Sequence, residues 1–241
     1  MNTAGLSQKN RISGGLIDRS KPLSFRFDGQ LYAGFSGDTL ASALLANNVR
    51  LVGRSFKYHR PRGILTAGSE EPNALVTIGS GASEDPNCRA TTTQLFDELI
   101  AKSQTKIGSL SFDLMAINDL LSPMLGAGFY YKTFMWPAAF WEKLYEPLIR
   151  KAAGLGSLSG KADPDRYDKG YLHCDLLVIG SGPSGLMAAL SAAESGIRVI
   201  LADEDFCLGG RLNAETAKID GMSCATFAAE TLGVLDTMDN E

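Results

Sequence analysis

Three glycines spaced as Gly180-x-Gly182-x-x-Gly185, with an acidic residue 23 positions after the first at Asp203, carry the most legible chemistry in this sequence. That chemistry is the grip on a cofactor pyrophosphate. Gly180 permits a tight turn, Gly182 lets backbone approach the phosphates, and Gly185 lets a helix pack closely on the strand before it. The helix that opens there points its free N–H groups and the positive end of its dipole at the phosphates. Asp203 is placed to accept hydrogen bonds from the adenosine ribose hydroxyls. Glu204 follows directly, and two adjacent carboxylates repel a ribose 2′-phosphate, so NADP is disfavoured relative to NAD or FAD. Gly209 and Gly210 can let the chain pass near the cofactor. Arg211 faces either a phosphate or solvent, and both readings stand.

The elements around these residues make the pattern more than a glycine-rich turn. CDLLVIGSGPSGLMAALSAAESGIRVILAD supplies an apolar strand (Asp175 to Ile179), the turn, an alanine-rich helix ending at Gly196, and a second apolar strand ending at Asp203. This is the opening β-α-β unit of a Rossmann-type domain. A glycine turn that merely ends a strand in a non-binding domain is the rival reading, and the agreement of strand, spacing, helix and acid disfavours it.

Upstream, residues 1–20 are polar and read as a flexible arm. LSFRF (Leu23 to Phe27), the turn signal Asp28-Gly29 and QLYAGF predict a hairpin. Asp38 or Thr39 caps a helix through LASALLANN, VRLV returns as a short strand, and ALVTIG (Ala74 to Gly79) and CRATTTQLF (Cys88 to Phe96) add two more. The order is that of an α+β β-grasp domain over 21–105. Residues 106–170 form a connector with helical spacing from about Ser109 to Gly154, then a Gly/Ser/Asp-rich linker. Its aromatics read as core or interface filling, with a ligand-stacking platform as the alternative. Residues 171–241 are then a partial nucleotide-binding domain.

Composition narrows the function classes. A net charge of −4 and a pI near 5.3 provide no broad basic field for nucleic acid. No basic and apolar leader and no run of roughly 18 apolar residues is present, which predicts a cytoplasmic protein with no membrane partner. Cys88, Cys174, Cys207 and Cys224 form no CxxC pair, which argues against zinc, iron–sulfur or dithiol chemistry. His59 and His173 have no neighbouring ligand cluster in sequence. No metal ligand and no catalytic residue is assigned.

Four blocks carry a family resemblance: GDTLASALLANNVRLVGRSFKYHRPRGI (37–64), EEPNALVTIG (70–79), EDPNCRATTTQL (84–95), and HCDLLVIGSGPSGL (173–186) running into VILADED. From about residue 11 to about residue 221 the chain resembles alpha subunits of heterotetrameric sarcosine oxidase. The resemblance implies a β-grasp domain related to plant-type ferredoxins, joined to an NAD-binding, two-dinucleotide-type domain. It implies cofactor contacts at Gly180, Gly182, Pro183, Ser184, Gly185, Asp203, Glu204, Asp205, Gly210 and Arg211, with NAD bound there and FAD as the alternative in the same site. It further implies beta, gamma and delta partner subunits, FAD and the amine-oxidising site in the beta subunit, and FMN between alpha and beta. The reaction implied is oxidative demethylation of sarcosine to glycine, with oxygen as electron acceptor and tetrahydrofolate engaged only through regions this sequence lacks.

In ferredoxin relatives the loop after the helix carries the cluster cysteines, whereas here it reads GRSFKYHRPRGI and has none, so no iron–sulfur cluster is expected. Arg54, Lys57, His59, Arg60 and Arg62 in that loop suit either a solvated or interface loop held by ion pairs, or contact with an acidic partner or cofactor phosphate. Family subunits are much longer, so the sequence reads as a fragment, a truncated frame or one piece of a split subunit. That predicts an uncovered sheet edge and uncovered crossover helix faces, weak nucleotide binding by the chain alone, and no activity in isolation. Two alternatives remain: the alpha subunit of an opine, amino-acid or cyanide-forming glycine dehydrogenase, many of which keep cluster cysteines, or a non-enzymatic assembly module.

Overall fold

Ser24 and Arg26 alternate with Phe25 and Phe27, and the strand they form buries both phenylalanines almost completely. The computed structural model describes residues 8, 10–12, 15, 17–123, 126–128, 134 and 136–238. Two units are distinguished, one of residues 1–66 and 71–165, the other of 67–70 and 166–241.

In the first unit, β1 (Asp18–Phe27) and β2 (Gln30–Ser36) make an antiparallel hairpin. Asp28 and Gly29 both hold positive φ, the turn whose twist suits a two-residue hairpin. The helix α1 (Leu40–Ala46) starts at Thr39, whose hydroxyl accepts from the Ser42 amide while the Ser42 hydroxyl accepts from the Thr39 amide. It buries Leu40, Ala41, Ala43, Leu44 and Ala46 against the sheet. A small ladder of β3 (Gly53–Arg54) and β4 (Pro61–Arg62) comes next, followed by β5 (Leu75–Ile78), β6 (Asp85–Arg89) and β7 (Leu99–Ser103). The sheet order is β2-β1-β7-β5-β6, with β7 parallel to β1 and antiparallel to β5. A parallel pair of first and last strands at the centre, with one helix across the sheet, is the β-grasp layout. Phe25, Leu40, Leu44, Val52, Val76 and Leu99 are fully buried in its core, each stabilising by about 1.5–3 kcal/mol.

Several sequence expectations are corrected here. β1 begins at Asp18, not Leu23, and Gln8, Asn10 and Arg11 of the 1–20 arm bond to the rest of the unit. The Arg11 guanidinium donates to both carboxylate oxygens of buried Asp38, and the Gln8 amide donates to the Ala33 carbonyl. A buried carboxylate needs such a partner. VRLV is not a strand: the Val49 amide still donates to the Leu44 carbonyl at the end of α1, and the ladder starts at Gly53. In CRATTTQLF only Cys88 and Arg89 are in a strand; the threonines turn back, with the Thr93 amide and hydroxyl both donating to the Arg89 carbonyl. β7, the centre of the sheet, has no counterpart in the sequence reading.

Beyond β7 the described residues of the aromatic connector hold short 3-10 turns, Leu114–Asp119 and Ala138–Phe140, a π-helical turn at Trp141–Tyr145, and a two-turn helix, α2 (Glu146–Ala153). Trp136, Phe140 and Trp141 are exposed, so they do not fill the core of this unit. Phe129, Tyr130 and Tyr131 of that run lie outside the described residues.

The second unit contains a parallel pair, β8 (Leu176–Ile179) and β9 (Val199–Ala202), linked by α3 (Pro183–Glu194). A small hairpin of β10 (Lys218–Ile219) and β11 (Met222–Ser223) leads into α4 (Cys224–Met238). Leu186 of α3, Leu212, and Cys224 and Ala228 of α4 form its core, while Leu177 and Ile179 of β8 are exposed. No helix among the described residues is long and apolar enough to cross a membrane.

Candidate functional site

β8 and β9 pair in register from Leu176↔Val199 to Ile179↔Ala202, and the Gly180 amide donates to the Ala202 carbonyl at 2.7 Å. That bond puts the glycine turn and Asp203 side by side at the carboxyl ends of two parallel strands, the place where open α/β sheets bind ligands. Gly180 has φ +96°, a conformation that side chains disfavour. A Cβ on Gly185 would lie 1.8 Å from the Gly180 carbonyl oxygen, so α3 can pack this closely only without one. A Cβ on Gly182, by contrast, would meet nothing within 4 Å. Two glycines therefore shape the turn and the third leaves its outer surface open.

Gly182 caps α3, Pro183 occupies the first turn where a missing N–H costs nothing, and the first helical bond runs from the Leu186 amide to the Gly182 carbonyl. The Ser184 and Gly185 amides precede that bond and have no partner within the helix. They supply the donors an anion would take.

The turn is braced by a residue that sequence reasoning missed. Ser181 is fully buried; its amide and hydroxyl both donate to Asp203 Oδ2, at 2.6 and 2.5 Å, and its hydroxyl accepts from the Gly209 amide at 2.8 Å. One serine thus joins the turn, the end of β9 and the Gly209-Gly210 pair. The only available signal was a small polar residue between two glycines. Gly210 lies against the turn, where an added Cβ would come within 3.1 Å of Gly182 Cα.

Asp203 Oδ1 accepts from the Asp205 amide at 3.0 Å. Burial pushes its carboxyl up, but the hydrogen bonds from Ser181 and the following amides outweigh that and hold it below the usual carboxylate range. Asp203 is therefore an ionised acceptor with its own internal donors. Asp205 differs: burial, helped by the charges of Asp203 and Glu204, pushes its carboxyl up against the opposing bond from the Cys207 amide. Glu204 is exposed. Arg211 is exposed and pairs with Glu215 at 2.7 Å, one helical turn away, rather than reaching the glycine turn. Of the expected contact residues, Gly180, Gly182, Pro183, Ser184, Gly185, Asp203 and Gly210 are thus gathered at one place. Among the described residues there is no group of three or more His, Cys, Asp or Glu able to hold a metal ion.

The loop of the first unit is organised differently. His59, buried and with φ +51°, sets Nδ1 at 2.5 Å from Asp113 Oδ2. Arg54 donates to the Leu110 and His59 carbonyls. Burial raises the Asp113 carboxyl, but the bonds from His59 and from the Ile107 and Met115 amides win and hold it low. An ionised Asp113 only accepts, so the Nδ1 of His59 carries the proton. Glu71 is also buried and held low by the Leu65, Thr66 and Asn73 amides against the effect of burial.

Residues 20–106 match a family model described as a 2Fe-2S iron-sulfur cluster binding domain, and residues 175–232 match one described as FAD dependent oxidoreductase. The sarcosine oxidase subunit alpha of Rhizobium meliloti (strain 1021) is 63% identical over 226 residues, which are 94% of this chain and 23% of that protein. The subunits of that name from Corynebacterium sp. strains U-96 and P-1 are 37% and 35% identical, over 92% and 91% of this chain and 19% and 18% of theirs. The chain spans about a quarter or less of the length of these curated relatives. A cluster of this type takes four ligands, cysteines or cysteines with histidines. Residues 20–106 hold one cysteine, Cys88, and one histidine, His59, which is engaged by Asp113, so the donor set does not fit a cluster. The open face of Gly182 and the unpartnered first-turn amides do fit a dinucleotide.

Proposed function

This chain is a homologue of sarcosine oxidase alpha subunits over most of its length, and from that premise we propose that it is the dinucleotide-binding part of an oxidoreductase subunit. NAD is the first reading for the site, with its pyrophosphate over Gly180, Gly182 and Gly185, the Ser184 and Gly185 amides on the phosphates, and Asp203 toward the ribose. The observation that carries it is the pairing of an open Gly182 with a Gly185 that tolerates no side chain. Bound there, the cofactor supplies electron-transfer chemistry; the chain's own residues bind and orient it. No side chain of this unit is assigned to catalysis. FAD in the same site is the second reading, favoured by the match of residues 175–232 to the FAD dependent oxidoreductase model.

The complete assembly carries out oxidative demethylation of sarcosine to glycine in the cytoplasm, with oxygen as acceptor. Beta, gamma and delta subunits complete the heterotetramer, FAD and FMN lie in or beside the beta subunit, tetrahydrofolate is engaged by other regions, and no iron–sulfur cluster is present.

The test is mass spectrometry of cofactor released from the chain co-expressed with its partner subunits. NAD alongside FAD and FMN supports the first reading. FMN with two FAD per alpha chain and no NAD moves FAD into the glycine turn, one FAD being that of the beta subunit, whereas a single FAD without NAD leaves the turn empty and contradicts both readings. No nucleotide at all contradicts both and leaves an assembly module.

A further inference from the structure

The 53–66 loop lies inside the region that matches a cluster-binding domain, and it is closed by a part of the chain outside that region. Ser55 to Arg60 form a tight turn, with the Ser55 amide donating to the Arg60 carbonyl and the His59 amide to the Ser55 carbonyl. Residues 107–119 lie outside the matched 20–106 region and fasten to this turn at four points. The Leu110 carbonyl accepts from Arg54; Asp113 accepts from His59; the Asn118 amide donates to the Lys57 carbonyl at 3.3 Å; and Asp119 accepts from Arg60 at 2.8 Å. Asp113 also ties the segment to itself, since its other oxygen accepts from the Ile107 and Met115 amides. One carboxylate therefore closes the segment and anchors the loop.

We propose that residues 107–119 are a strap that replaces an iron–sulfur cluster as the organiser of the 53–66 loop, with Asp113 as its central positioning residue. A cluster fixes its loop by covalent ligation from within. Here the same stretch is fixed from outside by a buried Arg54–Asp113–His59 network, with Glu71 gathering the Leu65 and Thr66 amides at the far end. Such a network holds its geometry only when each member is satisfied, because an unpaired buried charge is costly. His59, held at positive φ in a fully buried position, is the residue most dependent on the strap. The proposal rests on the cluster-free reading above and is independent of the dinucleotide site.

Two measurements on the full chain test it separately. Anaerobic reconstitution with ferrous iron and sulfide, followed by desalting and metal analysis, should leave no stoichiometric iron; retained iron and sulfide would overturn the cluster-free basis. Hydrogen exchange on Asp113→Asn should show amides of 53–66 exchanging about tenfold faster or more than in the unaltered chain, while β1 and β7 keep their protection. Unchanged exchange in 53–66 would overturn the strap even if no iron binds. Should Asp113→Asn fail to fold, the double variant Asn118→Ala and Asp119→Ala, which removes two of the four attachments and leaves no buried charge unpaired, decides the question on the same readout.

Discussion

The 53–66 loop and the 180–185 turn are both tight backbone excursions, but one is filled by its own chain and the other is left open. In the loop, Asp113 and Glu71 consume buried donors, His59 is locked onto Asp113, and Arg54 is held by the Leu110 and His59 carbonyls. In the turn, Ser181 and Asp203 brace the underside while Gly182 and the first-turn amides of α3 face outward. Side-chain carboxylates make a finished structure; glycine geometry makes a socket. Substitutions in the loop should therefore register as stability and substitutions at the open face of the turn as binding, with Gly185, Ser181 and Asp203 belonging to both.

Gly185→Val is the largest expected effect. A side chain aimed at the Gly180 carbonyl forces α3 off β8, lowering the stability of the second unit by about 1–3 kcal/mol or more and abolishing cofactor retention. Thermal unfolding with cofactor analysis reads both, and a variant that is stable and still loaded would refute the close-packing role.

Asp203→Ala should weaken nucleotide binding by about 1–3 kcal/mol through lost charge-assisted bonds and should also loosen the turn, since buried Ser181 loses its acceptor; calorimetry and thermal unfolding of the assembly read the two effects. Unaltered affinity would shift the ribose acid to Glu204.

Acid should undo the loop. Asp113 and Glu71 have folded values below their unfolded ones, so the stability they contribute is fully present above roughly pH 5 and is lost as pH falls through the folded values. Asp203 behaves the same way, whereas Asp205, raised in the fold, is relieved by protonation and works in the opposite direction. Protection at 53–66, taken relative to the intrinsic exchange rate at each pH, that does not fall below pH 4 would contradict the loop account. Arg211→Ala is the smallest effect, at most about 0.5 kcal/mol, since the exposed pair with Glu215 is screened by water.

How much of this was legible in the sequence follows from where the determining forces lie. The hairpin, the capped helix and the β-α-β unit rest on local signals: alternation at Phe25 and Phe27, a turn at Asp28-Gly29, a cap at Thr39, glycines at fixed spacing. β7 was missed because Leu99 to Ser103 is short and carries a lysine, and its place at the sheet centre comes from long-range pairing with β1. The Asp113–His59 pair spans 54 positions, and the Ser181–Asp203–Gly209 brace joins residues with no shared motif. Neither leaves a periodic trace. Arg11 looked like part of a loose arm because its partner, Asp38, sits beyond a whole hairpin.

The most direct test of the central claim is cofactor content in Gly182→Leu, purified within its assembly beside the unaltered chain. Because a Cβ at Gly182 meets nothing, the account predicts unchanged folding with loss of one adenine dinucleotide per alpha chain. A stable variant that keeps every cofactor would contradict the glycine turn as the binding site.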